Sequence, residues 1–162
     1  MRDVSLPPSF ARIHEVGTIV LRAEAAGHHR ELFARHAALY PPRTRAALEE
    51  GGRIAAVDYL AAQRERRRFH QEAGDLASRW DALLTPVASS SAPRGLDSTG
   101  DPYFCSPWSS AGLPAVALPS GMGEGGLPLS IQLVGGPFAE ARLLAAAAWC
   151  ERVISFEAAP PL

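Results

Sequence analysis

This chain has no lysine. All 16 of its lysine-or-arginine positions are arginine, so a mechanism that needs a lysine amine as base, Schiff-base former or phosphate ligand is closed to the chain acting alone. Cysteine is almost missing too. Cys105 and Cys150 are far apart and match no C-x-x-C pattern, which implies two half-buried thiols in a reducing compartment rather than a disulfide framework. The net charge is only −1, which removes any general attraction to nucleic acid or to an anionic membrane. No apolar run approaches the length of a bilayer span, and the opening MRDVSLPPSF lacks the apolar core of a signal peptide. The expected address is the cytoplasm.

What is present describes one globular domain: 162 residues, 47% hydrophobic and 20% charged, too short for two comfortable domains. Residues 1–80 read as a helical segment. Pro7 and Pro8 suit a helix start, and Phe10, Ile13, Val16, Val20 and Leu21 recur at helical spacing. Helix-forming residues continue to Leu39, with Gly27 as a candidate break, until Pro41-Pro42 stops them. PPRTRAALEEGG then offers a short helix closed by Gly51-Gly52. From Ile54 to Trp80 a long helix is predicted, with Ile54, Val57, Leu60, Ala61, Phe69, Ala73, Leu76 and Trp80 near one face. Its RERRRFH run has Glu65, Glu72 and Asp75 within helical reach, so it reads as an ion-paired, solvated face rather than a nucleic-acid contact.

Residues 81–162 read as an α/β segment. DALLTPV is an apolar run ending at a proline, consistent with a buried strand that emerges into a loop; ASSSAPRGLDSTGDP is turn chemistry throughout. YFCSPWSSAG has room for a short helix. AVALP and LSIQLVG read as two strands, and PFAEARLLAAAAWCERVISF as a closing helix with Leu143, Leu144, Ala147, Ala148 and Val153 along one side. Strands flanked by long helices predict an α/β sheet covered on both faces.

Between those two strands Gly121-Met122-Gly123-Glu124-Gly125-Gly126 fits G-x-G-x-x-G. A dinucleotide fingerprint needs a helix after its glycines, because the helix N-terminus holds the pyrophosphate. Here Leu127-Pro128 and a strand come next, so the segment is a hairpin connection and the match is accidental. The histidines, His14, His28, His29, His36 and His70, make no zinc motif: His14-Glu15 begins H-E-x-x-H, but position 18 is Thr. Ser89-Ser90-Ser91 and Ser109-Ser110 have no neighbouring base and no nucleophile elbow. A histidine brought in by folding remains an open partner for either.

Taken together, DALLTPV…PWSSAGLPAVALPSGMGEGGLPLSIQLVGGPFAEARLLAAAAWCE resembles the C-terminal region of the amidase signature family. That family carries there a D-x-L-(L/V)-x-P strand, then N-x-(T/A)-G-L-P-A, a strand ending in P-x-G, a G-L-P-x-(G/S)-(I/L)-Q strand, and a closing helix opened by an acidic residue. RAEAAGHHRELF and AVDYLAAQRERRRF are similar to family helices that precede the first strand, so the resemblance covers nearly the whole chain. It implies an α/β fold: the C-terminal half of the amidase signature fold, with mixed-sheet strands flanked by helices after a helical first half.

The resemblance implies amide hydrolysis or membership of an amidotransferase complex, by a serine nucleophile, a second serine in a cis peptide and a lysine base, all in the family's N-terminal half. This chain contains no Gly-Gly-Ser-Ser-Gly-Gly segment and no lysine. No catalytic residue transfers to it, no metal or organic cofactor is implied, and it is expected to be inactive alone. By position, Asp101, Tyr103, Phe104, Trp108 and Ser109 would contribute to the acyl-pocket wall against a small amide substrate. Ser109 stands where the family usually has Asn, so a hydrogen bond made there is weakened or lost, and plain core packing would explain the aromatics equally well. Apolar strands cut from a larger sheet also imply association with a missing N-terminal amidase half or with a second copy. Two other readings stay open: a non-catalytic binding or scaffold protein that retains the half-fold, and a hydrolase rebuilt from Ser109 or Ser110 with a histidine.

Overall fold

The structure, a computed structural model, describes residues 1–158; the last four residues of the expected α/β segment lie outside them. By their internal contacts the described residues form two units. One is Pro8–Phe69, the other Met1–Pro7 with the chain from His70 onward. Every element up to Ser78 is helical, and no helix among the described residues is long and apolar enough to cross a membrane.

The first unit is built on α1 (Ile13–His36) and α2 (Pro42–Gly51). Pro8 opens a short 3-10 turn, Pro8–Ala11, before α1 begins. α1 buries Ile13, Val16 and Val20 at spacings of three and four, as an amphipathic helix must. It runs unbroken through Gly27, so the candidate break there does not occur; a Cβ at Gly27 would meet nothing within 4 Å. Pro42 starts α2, where its missing N–H costs nothing.

Gly51, expected as a helix stop, is instead a packing residue. It is buried, and a Cβ there would overlap the Arg22 carbonyl oxygen and lie 3.0 Å from Ala26 Cβ. Gly52, the cap, has ordinary right-handed angles (φ −66°, ψ −15°), so neither glycine supplies a left-handed turn. The two helices touch backbone to backbone at Gly51.

The third helix, α3 (Ala56–Ser78), begins in this unit and ends in the other. Its buried residues include Ala62, Phe69, Ala73 and Ala77, while Val57 and Leu60 are exposed. The buried stripe is therefore narrower and rotated from the predicted one, since its first two turns carry apolar side chains that nothing here covers. Phe69 is fully buried and takes the Phe10 ring edge-on at 4.7 Å between centroids. Arg64, Arg67 and Arg68 around it face solvent.

The second unit contains β1 (Leu83–Pro86), α4 (Ser106–Ala111), β2 (Ala115–Met122), β3 (Pro128–Val134) and α5 (Glu140–Ile154). The strands form one sheet in the order β1-β3-β2, and both pairings are antiparallel. β3 is central, with Val134 opposite Leu83 on one side and Ala115 on the other. Alternation along β3 sends Ile131 and Leu133 to one face and Gln132 and Val134 to the other. α5 covers the first face: Leu143 and Ala147 pack on Leu118 and Leu133, with Val116, Ile131 and Cys150 around them.

Of the five apolar residues expected along one side of α5, Leu143 and Ala147 are buried, whereas Leu144, Ala148 and Val153 are exposed. A residue one position along a helix is turned by about 100°, which carries Leu144 off the face that Leu143 occupies. The glycine segment closes the β2–β3 hairpin: Gly125 and Gly126 have φ of 79° and 72°, and the Gly123 N–H donates to the Leu127 carbonyl at 2.8 Å. β3 begins directly after it, so no helix end meets these glycines.

The two glycines of the first unit predict opposite outcomes. Gly51→Ala should destabilise the protein by about 1–3 kcal/mol through forced separation of α1 and α2. Gly27→Ala should stabilise it by roughly 0.5–1 kcal/mol, because the helix interior gains a better helix former at no steric cost. Urea denaturation of both variants checks the pair, and equal shifts in midpoint would refute the close approach.

Candidate functional site

The site predicted from sequence falls on the long connection between β1 and β2. Its order begins with Asp101, whose Oδ1 accepts the Tyr103 N–H at 3.0 Å, an Asx turn. The Cys105 and Ser106 N–H groups then donate to the Pro102 carbonyl at 2.9 and 2.8 Å, winding the chain into α4. Gly112 ends that helix in the left-handed region at φ 65°, so its own N–H donates to Ser109 O and the Leu113 N–H to Trp108 O, each at 3.1 Å. Without glycine this turn would be strained.

Three side chains tie the connection to the rest of the unit. Gln132, only 4% exposed at the middle of β3, donates from Nε2 to the carbonyls of Pro86 (3.0 Å) and Phe104 (2.7 Å). One buried amide thereby holds both ends of the loop that separates β1 from α4. The Cys105 thiol donates to Val87 O at 3.2 Å across the same gap. His70 on α3 donates from Nδ1 to Ala111 O, the last residue of α4; a carbonyl can only accept, so this contact fixes the Nδ1–H form of the ring.

The five predicted residues do not share one surface. Trp108 is buried, at 3% exposure, and lines a cavity of about 640 Å³ with Trp80, residues 82–85 and most of the first six residues. Tyr103 and Phe104 stack edge-to-face at 5.3 Å, with Tyr103 half exposed and Phe104 half buried, and neither lines that cavity. Asp101 is exposed and engaged in its turn. Ser109 is exposed, its hydroxyl donating back to Cys105 O at 3.3 Å. Thus Asp101, Tyr103 and Phe104 belong to the loop's turn, while Trp108 faces inward one helical turn later.

Gln132 and His70 were missed as site-shaping residues. For Gln132 a signal exists: it is the one polar residue in the apolar run IQLV, and a buried amide must have partners. For His70 there is none, because its acceptor lies 41 residues away. A histidine does reach α4, as the rebuilt-hydrolase reading requires, but its Nδ1 is engaged by a backbone carbonyl. Among the described residues no three His, Cys, Asp or Glu side chains are grouped as a metal ion would need.

This fold, with an antiparallel β1-β3-β2 sheet backed by α5, matches the structures of amidase signature enzymes. The sequence matches the Amidase family over residues 5–144, and the chain belongs to that family. It is 39% identical over 109 residues to one of the subunits of the glutamyl-tRNA(Gln) amidotransferase of Parvibaculum lavamentivorans, a match covering 63% of this chain and 22% of that one. It is 34% identical over 126 residues to a fatty acid amide hydrolase of Medicago truncatula, covering 70% and 20%. A solved amidase superimposes with a TM-score of 0.85 at 32% identity, over 94% of this chain and 37% of that one. The chain thus spans about a fifth of the length of the curated relatives it matches.

Replacing Gln132 by Leu keeps the volume and removes both donors, leaving two carbonyls to find other partners. The expected cost is about 2–4 kcal/mol, with faster protease cleavage between residues 87 and 104. Thermal denaturation with limited proteolysis reads both effects, and an unaltered cleavage rate would show that the loop is held by other means.

Proposed function

We propose that this chain is the C-terminal portion of an amidase signature hydrolase, with residues 1–80 and 81–162 as the helical and α/β parts of one domain whose catalytic half it does not contain. The observation that carries the reading is the fit of 94% of the chain to 37% of a solved amidase, together with the complete lack of lysine. In the whole enzyme a serine oxygen adds to the carboxamide carbon, the C–N bond breaks as the nitrogen takes a proton, and water then cleaves the acyl ester. No metal or organic cofactor takes part, and the cytoplasm is the place of action.

This chain's contribution is the wall of the acyl pocket. Asp101 shapes the turn, Tyr103 and Phe104 present apolar rings, Trp108 packs inward from α4, and Ser109 lies on the exposed side of that helix with its hydroxyl proton given to Cys105 O. Its partner is the remaining amidase half, with self-association as the outcome when that half is missing. Alone, the chain has no activated nucleophile.

Incubation with a fluorophosphonate, which forms adducts with activated serines, tests this directly. A chain with the helical circular dichroism of this fold should show no mass shift and release no ammonia from simple carboxamides. A stoichiometric adduct on Ser109 or Ser110 that His70→Ala abolishes would overturn the proposal in favour of a rebuilt hydrolase.

A further inference from the structure

α5 packs on the sheet through Leu143 and Ala147 and turns a second apolar side outward. At about 100° per residue, Ala145, Trp149 and Val153 follow one another four apart, with Leu144 and Ala148 as the adjoining row. Leu144, Trp149 and Val153 are 59%, 59% and 63% exposed. Rows spaced by four residues are the ridges through which helices pack on one another.

Just before the helix stands Phe138, 96% exposed and with a φ of 55°. It is the third residue of a turn closed by the Ala139 N–H on the Gly136 carbonyl at 3.2 Å. Glycine fills such a position without strain, and a bulky residue does not. The ring, in solvent, returns nothing to the fold. Strain of this kind marks a place where the side chain itself is needed.

The charges on the outward side are divided. Glu140, Leu144 and Glu151, at spacings of four and seven, share one edge; Arg142, Trp149 and Val153, at spacings of seven and four, share the other. Two copies crossing with their helices in the same sense set the acidic edge of each against the arginine edge of the other. The opposite sense sets acid against acid. Arg152 lies between the edges in the last turn, where crossed helices have diverged. The area is sufficient as well. Phe138, Leu144, Trp149 and Val153 expose on the order of 500 Å² per copy, and twice that reaches the roughly 1,000 Å² that a specific interface needs.

We infer that the outward side of α5, together with Phe138, is the surface through which two copies of this chain associate, about a two-fold axis and with their helices in the same sense. The inference rests on the functional reading in taking self-association as the outcome for the chain alone. It goes beyond that reading in naming the surface and the sense of pairing.

Sedimentation velocity of the full chain, at concentrations up to roughly 100 µM, tests it. Expected is a reversible dimer whose dissociation constant rises at least tenfold in Trp149→Glu and roughly three- to tenfold in Phe138→Gly. Phe138→Gly should not lower the thermal midpoint of the dilute, monomeric chain, because it removes strain. That variant carries the test if Trp149→Glu loses its helical circular dichroism. Leu84→Ser, at the exposed edge strand β1, should leave the dimer unchanged. A monomer throughout, a dimer indifferent to both α5-side variants, or a dimer abolished by Leu84→Ser would each overturn the inference. A dimer indifferent to those variants in a chain with no fluorophosphonate adduct removes this inference and leaves the functional reading. An adduct in a chain whose dimer depends on Trp149 does the reverse.

Discussion

The side-chain amide of Gln132 holds together the two ends of the loop that separates β1 from α4. It sits at the centre of the central strand, nearly inaccessible, and its two N–H groups are taken by Pro86 and Phe104. Those carbonyls mark where the chain leaves β1 and where it approaches α4. Everything between them is turn and loop, without a core of its own. Its ends stay together because a buried donor cannot be left unpaired without a penalty of a few kcal/mol. The short helix α4, with six residues, is below the length at which a helix stands alone in water, so it too depends on this clamp, on the Gly112 turn and on the His70 contact.

The rest of the α/β unit is built around one well-covered face. α5 lays Leu143 and Ala147 on Leu118 and Leu133 and turns Leu144, Trp149 and Val153 outward, each more than half exposed. Phe138, at 96% exposure, precedes them. Isolated exposed apolar residues are ordinary, but here they follow one another along the side of α5 turned away from the sheet.

Much of the architecture was legible in the sequence because its signals are local. The hairpin could be told from a nucleotide loop by the residues after its glycines, since a strand beginning at Pro128 cannot offer a helix N-terminus. β1, α4, the β2–β3 pair and α5 appear where apolar runs, prolines and turn residues place them. The family itself was readable from GLPA and GLPLSIQL. The errors arise where a pattern does not say which neighbour will cover it: α3 buries Ala62 and leaves Val57 and Leu60 outside, although all of them suit a helix.

For the site the division is sharper. The sequence by itself determined that no lysine chemistry is possible here, that the glycines turn a hairpin, and that Asp101 to Ser109 form a turn and a short helix, because each depends on residue identity or on spacing within a few positions. Only the tertiary structure decided that Trp108 is buried while Tyr103 is half exposed, that Gly51 is a contact rather than a stop, and that Gln132 holds both ends of the loop and His70 the end of α4. The Gln132 and His70 hydrogen bonds join positions 28 to 46 residues apart, and no local pattern encodes which distant carbonyl a buried donor will meet.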